Sequence, residues 1–149
     1  MKKAFTMIEL VFVIVVIGIL ASIAIPKLAA TRDDAEITKA IATIGAVKSS
    51  LATERQKRII RGNFKPITKL GNTSTVFGYF DNNSSGSLVL ETSVNACSTS
   101  PKRACWDFDG DNTYTYYMPD TGTGVDFNIT KGVFDCKDPS SANCKTLTQ

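Results

Sequence analysis

Residues 5–25 read FTMIELVFVIVVIGILASIAI, twenty-one residues that carry one charge, Glu9. At about 1.5 Å per residue, a helix of this length reaches ~31 Å, enough to cross a bilayer core of ~30 Å. The run is apolar all round, so it has no polar face to leave in water and must lie in lipid or among other apolar helices. Lys2 and Lys3 precede it and Pro26 follows it. The two lysines favour a cytoplasmic N-terminus, although Lys27 and Arg32 compete from the other side. Residues 21–24, ASIA, offer a signal-peptidase site as a rival interpretation.

Proline removes one backbone hydrogen bond and bends a helix without having to end it. Beyond Pro26 the pattern stays helical but changes character. Ile37, Ala40, Ile44, Val47 and Leu51 recur at gaps of three and four, with Ile41 beside them, and form one apolar stripe. Asp33, Asp34, Glu36, Lys39, Lys48 and Glu54 are placed off it. Arg55, Lys57, Arg58 and Arg61 suit a helix C-terminus, and Gly62-Asn63 is a stop signal. The four cations are expected to form a solvated helix end, with contact to a neighbour's acidic patch as the alternative.

From Gly62 onward the composition turns to Gly, Asn, Ser, Thr and aromatics. Strands are expected over 75–80, 87–91, 113–118, 125–130 and 132–136, with turns at 81–86, Asp109-Gly110 and 119–124. The expected fold is α+β: a long N-terminal helix packed through its stripe against a small antiparallel β-sheet. The organisation is a leader over 1–4, a helix over 5–61 (an apolar half to 25, an amphipathic half from 27) and a β-rich domain over 62–149.

Under ninety residues is a marginal size for one core, and staples help. Cys97, Cys105, Cys136 and Cys144 fall in CSTSPKRAC and CKDPSSANC, two segments of equal spacing. The chain has no histidine, which disfavours zinc, so the cysteines read as disulfides. Three connectivities are possible. Local pairing, Cys97–Cys105 and Cys136–Cys144, is expected because each loop holds a proline and small polar residues. Disulfides place this part in an oxidising compartment.

The missing histidine also removes Ser-His-Asp and Cys-His catalysis. Through Arg61 there are ten Lys/Arg against five Asp/Glu, and afterwards seven against nine. The folded part therefore lacks a basic patch, and nucleic-acid binding is not indicated.

Residues 2–26, KKAFTMIELVFVIVVIGILASIAIP, resemble the N-terminus of the type IV pilin and type II secretion pseudopilin superfamily. The shared features are a short basic leader, a cut before Phe5, Glu9 at the fifth position after it, a long apolar helix and a proline seventeen residues beyond the glutamate. The resemblance implies cleavage between Ala4 and Phe5 by a prepilin peptidase, then methylation of the Phe5 amine. It implies a single-pass inner-membrane protein with a periplasmic C-terminal domain, which an assembly platform and its ATPase move into a helical filament of related pilins. The family usually has glycine where this chain has Ala4; a small residue is kept, and slower cleavage is expected. Such a subunit is structural and not an enzyme.

Glu9 is where physics and resemblance meet. An acid near hydrocarbon costs energy, and an acid also suits a helix N-terminus. An assembly role needs a cation, and the Phe5 amine freed by cleavage is one. Gly18 and Ala21, three apart, suit close helix approach or plain lipid contact.

Other constellations are weaker. Asp107, Asp109 and Asp111 in WDFDGDN resemble part of a calcium loop without EF-hand spacing; some pseudopilins hold calcium, but a β-turn with Trp106 and Phe108 turned to the core is the simpler expectation. No other cofactor is expected. Tyr114, Tyr116 and Tyr117 read as strand packing rather than a sugar-binding strip, and Asn128-Ile129-Thr130 as strand sequence. The alternative function is a monomeric membrane-anchored periplasmic domain that binds calcium or a glycan.

Overall fold

A computed structural model of the chain describes residues 5–82, 86–92, 94–98 and 100–148. Residues 1–4, the expected leader with Ala4, lie outside the described residues, as does part of the turn expected over 81–86. Helix α1 runs Met7–Ile60, through Pro26. Among the described residues four strands follow, β1 (Cys105–Phe108), β2 (Thr113–Tyr117), β3 (Gly124–Thr130) and β4 (Val133–Cys136), and then a short helix α2 (Ala142–Thr148). The strands form an antiparallel meander in sequence order. The fold is α+β.

Two compact units divide the chain, residues 1–35 and 36–149. In the first, residues 5–20 are all exposed, as the run's all-round apolar character requires. In the second, Ala40, Ile44, Val47 and Leu51 of α1 are buried, with Ile37 and Ile41 packed at the edge. Glu54 continues that stripe at the next three-residue step and is buried too, which corrects its expected place off the stripe.

Strand alternation supplies the facing layer. Trp106, Phe108, Tyr114, Tyr116, Val125, Phe127, Ile129 and Phe134 point inward, while Asp107, Thr115, Asp126 and Asp135 point outward. Aromatic rings fill the space between helix and sheet: Phe108 stacks on Tyr114 with centroids 4.6 Å apart, Phe127 on Phe134 at 5.3 Å, and Phe77 meets Trp106 edge-on at 5.1 Å.

The structure departs from the expected strands over 75–80 and 87–91. These runs make only single bridges, Thr75 to Asn95 and Tyr79 to Leu88. Val76 and Phe77 are adjacent and both fully buried, which a strand with one wet face does not allow. The Asn72 side chain starts a turn there instead, accepting from the amides of Ser74 and Thr75. Conversely, CWDF is a strand where only a turn flank was expected. Helix α2 was also unforeseen. Its cap is Ser141, whose Oγ accepts from the Cys144 amide at 3.2 Å.

Candidate functional site: the start of the long helix

The chain enters α1 through Thr6, the residue before its first turn. The Glu9 amide donates to Thr6 Oγ1 at 3.3 Å, and Glu9 Oε2 accepts from the Thr6 amide at 3.1 Å and from Thr6 Oγ1 at 3.0 Å. This reciprocal arrangement is a capping box, which satisfies two amides that a helix N-terminus otherwise leaves without partners. Its signature, Thr followed three residues later by Glu, stands in the sequence as TMIE. The preference of helix N-termini for acids accounts for Glu9 but not for Thr6.

The box places Glu9 on an exposed turn, with Phe5, Met7 and Ile8 exposed around it. One carboxylate oxygen, Oε2, is held locally by Thr6. Past this turn residues 10–25 carry no charged side chain and expose an apolar surface, with Leu10, Val11, Phe12, Ile14, Ile17 and Leu20 exposed. A Cβ added at Gly18 would meet nothing within 4 Å, so the helix surface there is open to close approach.

The other candidate residues lie in the second unit. Cys97 pairs with Cys105 and Cys136 with Cys144. The first bridge ties the loop before β1 to its first residue, and the second ties β4 to α2. The three aspartates of WDFDGDN do different work. Asp107 faces outward and pairs with Lys102. Asp109 Oδ1 accepts from the amides of Asp111 and Thr113 at 2.8 and 3.1 Å and shapes the β1–β2 turn, where Gly110 has φ +91°. Burial alone would raise the Asp109 pKa, and those amides outweigh it and lower it. Among the described residues no three acids, cysteines or histidines come together as a metal cluster.

Tyr114 and Tyr116 are core residues. The Tyr114 hydroxyl accepts from the Leu70 amide at 2.8 Å, and the Tyr116 hydroxyl donates to the Glu36 carbonyl at 3.1 Å. Burial pushes the Tyr116 pKa up to about 12. Tyr117 lies on the outer face with the Lys102 ammonium 5.3 Å from its ring centroid. Asn128 is half-buried within β3.

The basic end of α1 is not uniformly solvated, contrary to expectation. Arg58 is 17% exposed and bridges Glu54 at 3.1 Å and Asp81 at 2.6 Å. Asp81 in turn accepts from the Thr68 amide at 2.9 Å, so one carboxylate joins the helix to the following loop. Burial would raise the Asp81 pKa; the Thr68 amide and the Arg58 guanidinium overcome this and lower it. Arg55 donates to the Lys131 carbonyl at the β3–β4 turn.

Residues 1–25 match the family described as the prokaryotic N-terminal methylation motif. Similar proteins include the type IV narrow pilus major component PilA5 of Thermus thermophilus, 48% identical over 50 residues (34% of this chain, 43% of that protein). The type II secretion system core protein G of Klebsiella michiganensis is 40% identical over 50 residues (34% and 35%), and a fimbrial protein of Moraxella nonliquefaciens 42% over 55 residues (37% and 36%). The match thus spans little more than a third of these relatives' length. No solved structure matches the chain.

Proposed function

We propose, from an N-terminal segment that belongs to the type IV pilin and type II secretion pseudopilin superfamily, that the chain is a structural subunit of a pilus or pseudopilus. The observation that carries this is the start of α1: an exposed apolar surface, and one carboxylate at its capped first turn. Apolar burial is favourable by about 25 cal/mol per Å², so such a surface is stable only in lipid or against copies of itself.

A prepilin peptidase cuts between Ala4 and Phe5, and the new Phe5 amine is methylated. The apolar half-helix holds the subunit in the inner membrane, N-terminus in the cytoplasm and disulfide-bonded domain in the periplasm. An assembly platform then transfers it to a filament whose core is the packed helices. Glu9 sets the axial register by pairing with the Phe5 amine of a neighbour, because a carboxylate left unpaired among apolar helices is penalised.

The test is expression with and without a prepilin peptidase and assembly platform, followed by shearing and electron microscopy. Filaments containing this chain are expected only in the complete system. Recovery as an unassembled monomer in the complete system would overturn the proposal in favour of an anchored binding domain.

A further inference from the structure

Helix α1 ends in a turn that keeps apolar side chains in water. Gly62, at φ +77°, donates to the Ile59 carbonyl at 2.9 Å, and the Asn63 amide donates to the Arg58 carbonyl at 2.8 Å. This pair of bonds is a Schellman cap. Asn63 Oδ1 then accepts from the Lys65 amide at 3.1 Å. These bonds fix the chain reversal at the helix end, yet Ile60 is 84% exposed and Phe64 78%. Beyond residue 28, the exposed large hydrophobic side chains among the described residues are Ile59, Ile60, Phe64, Leu88 and Val133. Three of the five fall in this one turn, and a cluster of that kind marks an interaction surface more than scattered exposure does.

The charges around it have one sign. Arg58 is neutralised within the chain by Glu54 and Asp81. Lys57, Arg61 and Lys65 make no ion pair among the described residues. A partner must therefore offer acids beside apolar surface. Along α1 the acids come early, at Asp33, Asp34 and Glu36, beyond the exposed Leu28, and the cations come late. Glu36, half-buried, meets the exposed Lys39 only at 3.7 Å, a weak tie that a new partner can replace. Asp109 and Asp111, the other close acids, are less suited, because Asp109 is spent on the β1–β2 turn and that turn already lies against Lys69 of the same chain, which donates to the Gly110 carbonyl.

We propose that Ile60 and Phe64, ringed by Lys57, Arg61 and Lys65, dock on a second copy of this chain at the helix turn bearing Asp33, Asp34 and Glu36. Copies aligned in one direction bring the late, basic turn of one helix to the early, acidic turn of another. This is a head-to-tail contact, which repeats along an open helical assembly. The proposal rests on the filament reading and names a second contact within it, separate from the one at Glu9.

The test introduces a photo-crosslinking phenylalanine at Phe64 in the full chain, in cells with the complete assembly system. The expected product is a crosslinked pair of this chain in which the peptide 33–39 carries the adduct. A crosslink to another protein, or to the sheet of the second copy, overturns the proposal. In parallel, Arg61→Glu with Lys65→Glu is expected to lower sheared filament yield about tenfold, and adding Asp34→Lys with Glu36→Lys to restore most of it. Disulfide formation is checked in each variant as the control for folding and periplasmic placement. Reversals that leave the yield unchanged, or a combination no better than either half, overturn the contact. If the wild-type chain forms filaments that need Glu9 while the reversals have no effect, only this contact falls; if it forms none, the filament reading falls as well.

Discussion

Replacing Glu9 by glutamine separates two roles that alanine removes together. Glutamine keeps a carbonyl oxygen where Glu9 Oε2 now accepts from Thr6, and glutamine serves in a capping box as glutamate does. The helix start is therefore preserved to within a few tenths of a kcal/mol. Alanine loses those bonds, at a cost of about 1 kcal/mol on the scale of helix caps. The charge is worth more if it faces a neighbour's amine. At ~4 Å and an effective dielectric near 20, the gross attraction is about 4 kcal/mol, and removing one partner of a desolvated pair costs about 3–5 kcal/mol. At about 1.4 kcal/mol per tenfold, that is a loss of roughly two to three and a half orders of magnitude in subunit association. Glu9→Gln should then fail in assembly almost as completely as Glu9→Ala. The assay is filament yield after shearing, with the mass of the mature N-terminus as the control that processing is intact. Filaments at wild-type level from Glu9→Gln, with Glu9→Ala defective, would show that the cap is what assembly needs and would refute the register role. Normal filaments from both would remove Glu9 from assembly altogether.

Three further predictions concern the second unit. Tyr114→Phe leaves the buried Leu70 amide without an acceptor, so the full chain in detergent should lose about 1–3 kcal/mol and several degrees of Tm; an unchanged melt would show that another acceptor takes over. Asp81 has a lowered pKa, so its contribution is present above its unfolded value of about 3.9 and fades as pH falls through the lower folded value. The stability gap between wild type and Asp81→Asn should accordingly shrink below about pH 4, and a gap independent of pH there would contradict the Arg58–Asp81 tie. Calcium at millimolar concentration should leave the melting temperature where it is, since Asp107 is paired with Lys102 and Asp109 holds the turn amides; a clear upward shift would restore the calcium-loop interpretation of these residues.

The helix was legible because periodicity is a strong signal over many turns. The change at Pro26 from an all-round apolar run to a single stripe marks which apolar residues pack, although it leaves Glu54, buried at the stripe's end, unmarked. Strands β2 and β3 were legible for the same reason, since Tyr114, Tyr116, Val125, Phe127 and Ile129 alternate with polar residues. The runs at 75–80 and 87–91 misled because their β-branched and aromatic composition is that of a strand, while their burial comes from a loop folded under the helix. Strand β1 was hidden by its acids: Asp107 on the wet face and Asp109 in the turn made a strand resemble a metal loop. At the candidate site, Glu9 was visible as a lone charge. Thr6 was overlooked because an uncharged residue in an apolar run draws no attention, although the Thr-to-Glu spacing was there to read. The sequence shows Arg58 only as one of four cations at a helix end, because its partner Asp81 lies twenty-three residues away across a loop.

Under the proposed function the apolar helix is stored in a membrane, and one cut readies it for the filament and creates the cation for Glu9. The mass of the mature N-terminus tests this most directly. A chain beginning at an N-methylated Phe5 is the predicted result, and a chain beginning at Met1 or after Ala24 would contradict it.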